Sequence, residues 1–499
     1  MYFLGLDIGS SSVKLSVIDG DSGERVANAT YPPQEMTIKA PQSGWAEQAP
    51  EDWWDAVKKG CEQLWQIKPE ARDNIGAIGI SYQMHGLVAV DKDGEVLRPS
   101  IIWCDSRAVA TGELAFSELG QDWCMAHLLN APGNFTAAKL RWVQENEPEL
   151  YSRIDKILLP GDYIAFKLTG ECTTTASGLS EGVFWDFSEN QVADTLLKHW
   201  HIDPALLARQ VPSLGIQGEV NEIAARELGI NAGAKLAFRA GDQVANSISL
   251  NVLEPGDVAT TAGTSGVVYA VTDKNIADPD QRINTFLHLN KGNAEAHRGL
   301  LACINGAGRM NSWLRGVLST GGDLSYPELN ELGESVAPGS DGLNVYPFGN
   351  GAERIMRNKL LSAQLDGLDL NRHGVNHIAR ATQEGVAYAM NLGFDLIKGL
   401  GAETRVVRAG HSNMFLSPVF TSAFVNLIGA PLELYQTDSA DGVARAAAWG
   451  CDFYASRDDV FRTLTCKAIL EPQAQLQNQY QDLYAQWRTA VEQRLTQNH

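Results

Sequence analysis

Cysteine is scarce and unpatterned in this chain. Seven occur in 499 residues (Cys61, Cys104, Cys124, Cys172, Cys303, Cys451 and Cys466), an odd count with no C-x-x-C pair. That argues against a disulfide framework or a zinc-ribbon site and makes a reducing cytoplasm the expected compartment. Basic residues are also short: 40 Lys and Arg face 60 Asp and Glu, for a formal net charge of -20. A surface that acidic repels nucleic acid and anionic membranes, so neither is an expected partner. Any anion that binds must be met by local main-chain N–H groups, a cation, or both. No apolar run approaches bilayer-spanning length. The apolar start stops at Asp7, with no basic region before it and no small-residue cleavage site, so it does not read as a signal peptide. Neither G-x-x-x-x-G-K-[ST] nor a G-x-G-x-x-G following a strand occurs, which removes two familiar phosphate loops. There is no Pro/Ser-rich linker and no low-complexity tract, so closely packed domains are expected.

What is present is an ordinary globular composition, 44% hydrophobic and 20% charged, in a chain too long for one core. Two domains are expected, meeting near residue 245. The strongest internal pattern is a pair of strand–small loop–strand hairpins. "LGLDIGSSSVKLSVID" (4–19) places Gly9-Ser10-Ser11-Ser12 between alternating apolar runs, and "GDVATTAGTSGVVYAVTD" (256–273) repeats the shape. Gly9 laid on Gly263 matches Ser10 with Thr264, Ser11 with Ser265, Ser12 with Gly266 and Val13 with Val267. Such loops are either ordinary tight turns or cradles that bring N–H groups and hydroxyls up to a phosphate. Recurrence at corresponding places in the two halves points to a duplicated domain. Around the hairpins, helical apolar spacing over 51–67, 136–151, 375–401 and 417–429 alternates with strand patterns, which gives an α/β protein. Ser417 and Pro418 read as cap and first helical residue of the last of these.

Several stretches carry chemistry. Asp7, at a strand end beside the first small loop, suits Mg²⁺ bound directly or through water, if the loops hold a nucleotide. In "FRAGDQVANS" Asp242 opens a small-residue helix. It is either that helix's N-cap or a general base for a substrate hydroxyl, and a carboxylate at a helix start is expected to stay ionised. "SYQMHG" (81–86) offers Gln83, Met84 and His85 to a polar pocket. In "IIWCDSRA" (101–108) Trp103 presents a face that suits the C–H surface of a sugar; the bland alternative puts Trp103 in the core and leaves Asp105 and Arg107 as a surface pair.

Taken in order, these stretches resemble the FGGY carbohydrate kinase family nearly end to end. "GLDIGSSSVK" is similar to its first phosphate hairpin and "GWAEQAPEDWW" to its acidic-aromatic stretch. "QMHG" with "WCDSRA" resembles its sugar-binding segment, and "NFTAAKLRWVQENEP" its first signature. "LPGDYIAFKLTGE" follows in order, "GDQ" matches the catalytic segment and "TAGTSG" the second hairpin. "GVNHIARATQEGVAYAM" resembles the second signature, and "AGHSNMFLSPVFTSAF" the adenosine motif. The resemblance implies duplicated actin-like, ribonuclease H-like α/β domains, 1–244 and 245–499, with an interdomain catalytic cleft where sugar and MgATP meet. It implies that Gly9, Ser10, Ser11 and Lys14 lie near the terminal phosphate. Gly263, Thr264, Ser265, Gly410 and Asn413 hold the rest of ATP, and Asp7 orients Mg²⁺. Met84, His85, Trp103, Asp242 and Gln243 face the sugar, with Asp242 as general base. Within the family the "QMHG" form resembles xylulokinases, so D-xylulose leads; L-ribulose, L-xylulose and gluconate stay open. A homodimer is the usual pattern in such kinases. An actin- or chaperone-like ATPase switch would use the same hairpins but has no need of the sugar segments, and a kinase-derived sugar sensor has no need of Asp242. Two departures stand out. The adenosine motif reads Arg408-Ala409-Gly410 where Gly-Gly-Gly is usual, and the methyl of Ala409 is expected to reshape the purine slot. The family's "SGERTPH" appears as "NGAERIMRN" (350–358), keeping Glu353 and Arg354 without the Thr-Pro.

Overall fold

The computed structural model describes residues 1–291, 296–319 and 322–497. It divides into two compact units. The first takes Met1–Asn251 and two later excursions, Phe286–Arg298 and Thr437–Leu464; the second takes Val252–Thr285, Gly299–Gln436 and Thr465–His499. A single cut after residue 244 would leave both excursions with the second unit.

The first unit is built on a six-stranded sheet. Its strands are β1 (Tyr2–Ile8), β2 (Val13–Asp19), β3 (Arg25–Tyr31), β4 (Ile75–Tyr82), β5 (Leu214–Glu219) and β6 (Lys235–Gly241), in the spatial order β5-β6-β4-β1-β2-β3. β1 is antiparallel to β2 on one side and parallel to β4 on the other. The expected amphipathic helix is α1 (Pro50–Ile67). Pro50 starts it, Glu51 and Asp52 complement its N-terminal dipole, and Trp53, Trp54, Val57, Cys61 and Leu64 are buried on one face. α2 (Thr136–Asn146) ends before Pro148, as its sequence requires. α3 (Ala176–Glu181) and α4 (Asp242–Ser249) follow.

The second unit has a seven-stranded sheet: β7 (Asp257–Ala262), β8 (Gly266–Thr272), β9 (Asn284–Leu287), β10 (Arg298–Ile304), β11 (Val406–Gly410), β12 (Leu432–Gln436) and β13 (Thr465–Leu470). The order is β9-β10-β8-β7-β11-β12-β13. β7 is antiparallel to β8 and parallel to β11, as β1 is to β2 and β4. The runs β3-β2-β1-β4-β6 and β10-β8-β7-β11-β12 therefore repeat one arrangement, and the fold is a duplicated actin-like α/β architecture. α5 (Ala307–Leu318), α6 (Tyr326–Glu334), α7 (Val375–Gly399) and α8 (Pro418–Ile428) belong to this unit. Ser417 caps α8 by accepting from the Phe420 N–H at 3.2 Å, with Pro418 next, as expected.

Another helix of the first unit, α9 (Ser439–Gly450), comes from the second excursion. Its Ala444, Ala447 and Ala448 pack with Phe3, Ile18, Ala77 and Ala237 of the first sheet. Contact is close: a Cβ on Gly5 would stand 1.9 Å from the Ala440 carbonyl oxygen, so only glycine fits on β1 there. Among the described residues no helix is long and apolar enough to cross a membrane. Among the described residues no two cysteines are joined in a disulfide.

The two hairpin loops differ in length. Ile8 pairs with Val13 across a four-residue loop, whereas Ala262 pairs with Gly266 across three residues. Gly9 and Gly263 do correspond, each following the first strand, but Val13 matches Gly266 rather than Val267. The one-residue difference corrects the alignment beyond the loop, because a strand's side-chain period of two turns a one-residue slip into a change of face.

Candidate functional site

In the first unit, the end of β1 carries Asp7 opposite Lys14 of β2. Asp7 also accepts a hydrogen bond from Ser81 Oγ on β4 at 2.8 Å. Burial raises its pKa, while Lys14 and Ser81 pull it back. The loop that follows closes through the Gly9 N–H to the Ser12 carbonyl at 3.1 Å. Gln48 Nε2 donates to the Ser10 carbonyl at 2.7 Å, fixing the loop from outside, and Trp103 Nε1 lies 3.4 Å from Ser10 Oγ.

Asp242 follows β6. Its carboxylate is not a helix cap: Gly241 holds the N-cap position, Asp242 is the first helical residue, and no side chain caps this end. The cap alternative fails for that reason. Its pKa is pushed up to about 7, by burial first and by the charge of Asp7 second, against hydrogen bonds with Gln243. The sequence expectation that the helix start would keep it firmly ionised is corrected here: desolvation outweighs the helix end. Gln243 is half-buried beside it.

Met84 and Glu181 border Gly241, the residue before Asp242, and His85 bonds to Glu181. A Cβ on Gly241 would stand 2.3 Å from Glu181 Oε2 and 2.7 Å from Met84 Cγ, so the residue before Asp242 touches both. His85 takes a left-handed backbone, with φ of 62°. Its main-chain N–H points to Glu181 Oε1 at 3.4 Å, and its Nδ1 lies 2.9 Å from the Glu181 carbonyl oxygen. A carbonyl only accepts, so Nδ1 carries a proton. The ring packs edge-on to Phe135 at 4.9 Å and against Phe286, from the first excursion, at 5.4 Å. Gln83 is buried, with Nε2 3.3 Å from Gln48 Oε1. Glu181 was not singled out in the sequence. Its carboxyl is fully enclosed, and burial raises its pKa well above the ordinary value, with the charges of Asp242 and Asp162 adding to the rise.

The "WCDSRA" segment reverses the bland alternative in both halves. Trp103 is 51% exposed, while Asp105 and Arg107 are buried and paired at 2.7 Å. Arg107 also reaches Glu47 at 2.8 Å and stacks 3.7 Å from the Trp45 ring. The aromatic face is left on the surface because the ion pair behind it, tied to the "GWAEQ" stretch, occupies the core.

In the second unit a cavity of about 680 Å³ opens beside the shorter hairpin loop, within the range of small-molecule sites. Gly263, Thr264 and Asn413 line it; Ser265 and Gly410 do not. The rest of its wall comes from α5, α6 and the start of α8, including Gly308, Arg309, Tyr326, Asn330 and Glu331. None of these five was named in the sequence reading. Gly308 is required by the packing: a Cβ there would stand 2.0 Å from the Gly263 carbonyl oxygen. The Arg309 N–H donates to the Thr264 carbonyl at 3.0 Å, which joins α5 to the hairpin loop. Ala409 lies fully buried in β11, within the hydrophobic core and away from the cavity wall.

The "NGAERIMRN" stretch acquires a role. Glu353 is buried and accepts from the main-chain N–H groups of Asn305 at 2.9 Å and Gly306 at 3.0 Å, the turn that leads into α5. Burial raises its pKa to about 7 against those two bonds. Ile355 and Met356 are buried core residues.

A metal has a plausible seat at Asp7. Two carboxylates, Asp7 and Asp242, lie close enough for one charge to raise the pKa of the other, and a cation relieves that repulsion. Among the described residues no group of three or more His, Cys, Asp or Glu side chains is arranged to hold a metal ion.

Comparison with known proteins agrees with this picture. Residues 2–249 match the family described as the FGGY family of carbohydrate kinases, N-terminal domain. A xylulose kinase of Streptomyces rubiginosus is 31% identical over 400 residues, covering 79% of this chain and 76% of that protein. The crystal structure of a xylulose kinase from Rhodospirillum rubrum superposes with a TM-score of 0.86 at 26% identity, covering 99% of both chains. A gluconate kinase from Lactobacillus acidophilus, 20% identical, shares the fold with a TM-score of 0.88 over 99% of this chain and 98% of that one.

Proposed function

We propose, from the premise that the chain belongs to the FGGY family of carbohydrate kinases, that it transfers the γ-phosphoryl group of ATP to D-xylulose, giving D-xylulose 5-phosphate and ADP. The observation that carries the mechanism is the placement of Asp242: it directly follows Gly241, which touches Met84 and Glu181, and burial with the charge of Asp7 raises its pKa to about 7. A general base works best when its pKa lies near the working pH. Asp242 takes the proton of the terminal sugar hydroxyl as that oxygen attacks the γ-phosphorus, and ADP leaves. His85 binds a second hydroxyl, Trp103 covers the C–H face of the sugar, and Gln243 binds near the reacting end.

The main-chain groups of Gly9, Ser10 and Ser11, with Lys14, meet the charge of the transferring phosphoryl group. Gly263, Thr264, Ser265, Gly410 and Asn413 serve the rest of ATP. When bound at Asp7, Mg²⁺ neutralises phosphate charge. The choice of D-xylulose is supported by the relatives named above; the fold, shared with a gluconate kinase, leaves that choice to the pocket.

ADP release measured over a panel of ketopentoses, aldonates and polyols tests the reading. The highest kcat/KM is expected for D-xylulose. A preference for gluconate or for L-ribulose would replace the substrate while keeping the chemistry.

A further inference from the structure

α2 carries a lysine that no step above uses. Lys139 is fully buried, a rare place for an ammonium group. Its Nζ donates to two main-chain carbonyls, that of His85 at 2.7 Å and that of Ile102 at 3.0 Å. These residues belong to two segments distant in sequence. One carries Met84 and His85; the other continues directly into Trp103. Thr136, one turn earlier on the same helix, adds a bond from Oγ1 to the Gly86 carbonyl at 3.3 Å. The carbonyl at His85 needs such a partner because β4 ends at Tyr82, and the left-handed turn at His85 offers it no strand to pair with. Burial lowers the lysine's pKa to about 7; Asp105 and Cys104 oppose that fall and Arg107 adds to it.

We propose that Lys139 is a positioning residue for the sugar: the Leu87 N–H bond to the Ile101 carbonyl at 3.0 Å joins the two segments, and one ammonium, bonded to the carbonyls of His85 and Ile102, fixes how the ends that carry His85 and Trp103 stand to each other. The inference rests on the sugar-kinase reading of that pocket. Lys139 touches neither the hydroxyl that reacts nor the nucleotide, so its loss should weaken sugar binding and leave phosphoryl transfer in the bound complex largely intact. A misplacement of about 1 Å in substrate-positioning groups costs up to about 100-fold.

The test compares Lys139→Met, which keeps the length of the side chain without its donors, with Lys139→Gln, which keeps amide donors. Each is assayed with the sugar of the panel that the wild type phosphorylates best. The expected result is a sugar KM raised at least about tenfold in Lys139→Met and by less in Lys139→Gln, with kcat and the KM for ATP changed less than about threefold. An unchanged sugar KM overturns the proposal, as does a fall in kcat with sugar KM unmoved. Failure of both variants to fold, judged by thermal melting, assigns the lysine to stability and also overturns it. A wild type that phosphorylates no sugar on the panel refutes the underlying function instead, which separates the two failures.

Discussion

Replacing Asp242 by Asn should cost activity and add stability, and the two effects should carry different pH signatures. The folded protein raises the Asp242 pKa from 3.8 to about 7, through burial and the charge of Asp7. A carboxyl whose folded pKa lies above its unfolded value binds its proton more tightly in the fold. Wild-type stability therefore falls as pH rises from about 4 to about 7, and the full cost persists above that. A rise of about three pKa units corresponds to a cost of at most about 4 kcal/mol. Asn keeps the size and loses the charge, so Asp242→Asn avoids that cost. At about 2 °C per kcal/mol for a unit of this size, its melting temperature should exceed the wild type's by up to about 8 °C at pH 8, and by almost nothing at pH 4. Turnover should fall by at least about 100-fold, the order expected for loss of a general base. The assay is thermal unfolding of both proteins between pH 4 and 8, alongside ADP release at pH 8. A stability gain that is the same at both ends of the range, a stability loss at pH 8, or near wild-type turnover would refute the reasoning that one desolvated carboxylate serves the reaction at the expense of the fold.

The remaining predictions concern neighbouring groups. Asp7→Asn removes the like charge facing Asp242, so in metal-free protein the loss of stability with rising pH should set in at lower pH than in the wild type; an onset that stays in place or moves upward counts against the coupling. Glu353→Ala leaves the Asn305 and Gly306 N–H groups without their carboxylate and loosens the entry to α5, so the KM for ATP should rise several-fold with the sugar KM unchanged; equal kinetics for both substrates would separate this turn from the nucleotide cavity. Trp103→Ala should raise the sugar KM while leaving the melting temperature within about 2 °C, because the ring is half exposed; a large fall in melting temperature would return Trp103 to the core.

Elements whose signals are local were legible in the chain. Both hairpins, α1 with its five buried apolar residues, α8 with Ser417 and Pro418, and the end of α2 before Pro148 depend on side-chain period, proline geometry and capping, all of which act within a few residues. The same holds for the candidate residues on the strand ends and loops of the first unit, Asp7, Gly9, Met84, His85 and Asp242, since strand ends and small-residue loops announce themselves. The ordered series of short motifs then identified the family.

What stayed hidden needed residues far apart in sequence. No local pattern marks Glu181 or Lys139 as partners of His85, because an acid and a lysine on helices look alike whether they face water or a pocket. The burial of Asp105 with Arg107, and the exposure of Trp103, follow from Glu47 and Trp45 nearly sixty residues earlier. The walls of the cavity in the second unit bring three helices together with the hairpin loop and the 413–416 turn, and the return of Phe286–Arg298 and Thr437–Leu464 to the first unit is a matter of chain path. By itself, then, the sequence determined the strands, helices, loops and the types of group available for chemistry. Only the tertiary structure decided which carboxylates lose their water and which charges face one another. Desolvation and Coulomb interaction depend on surroundings in space, and those surroundings set the pKa of Asp242 near 7.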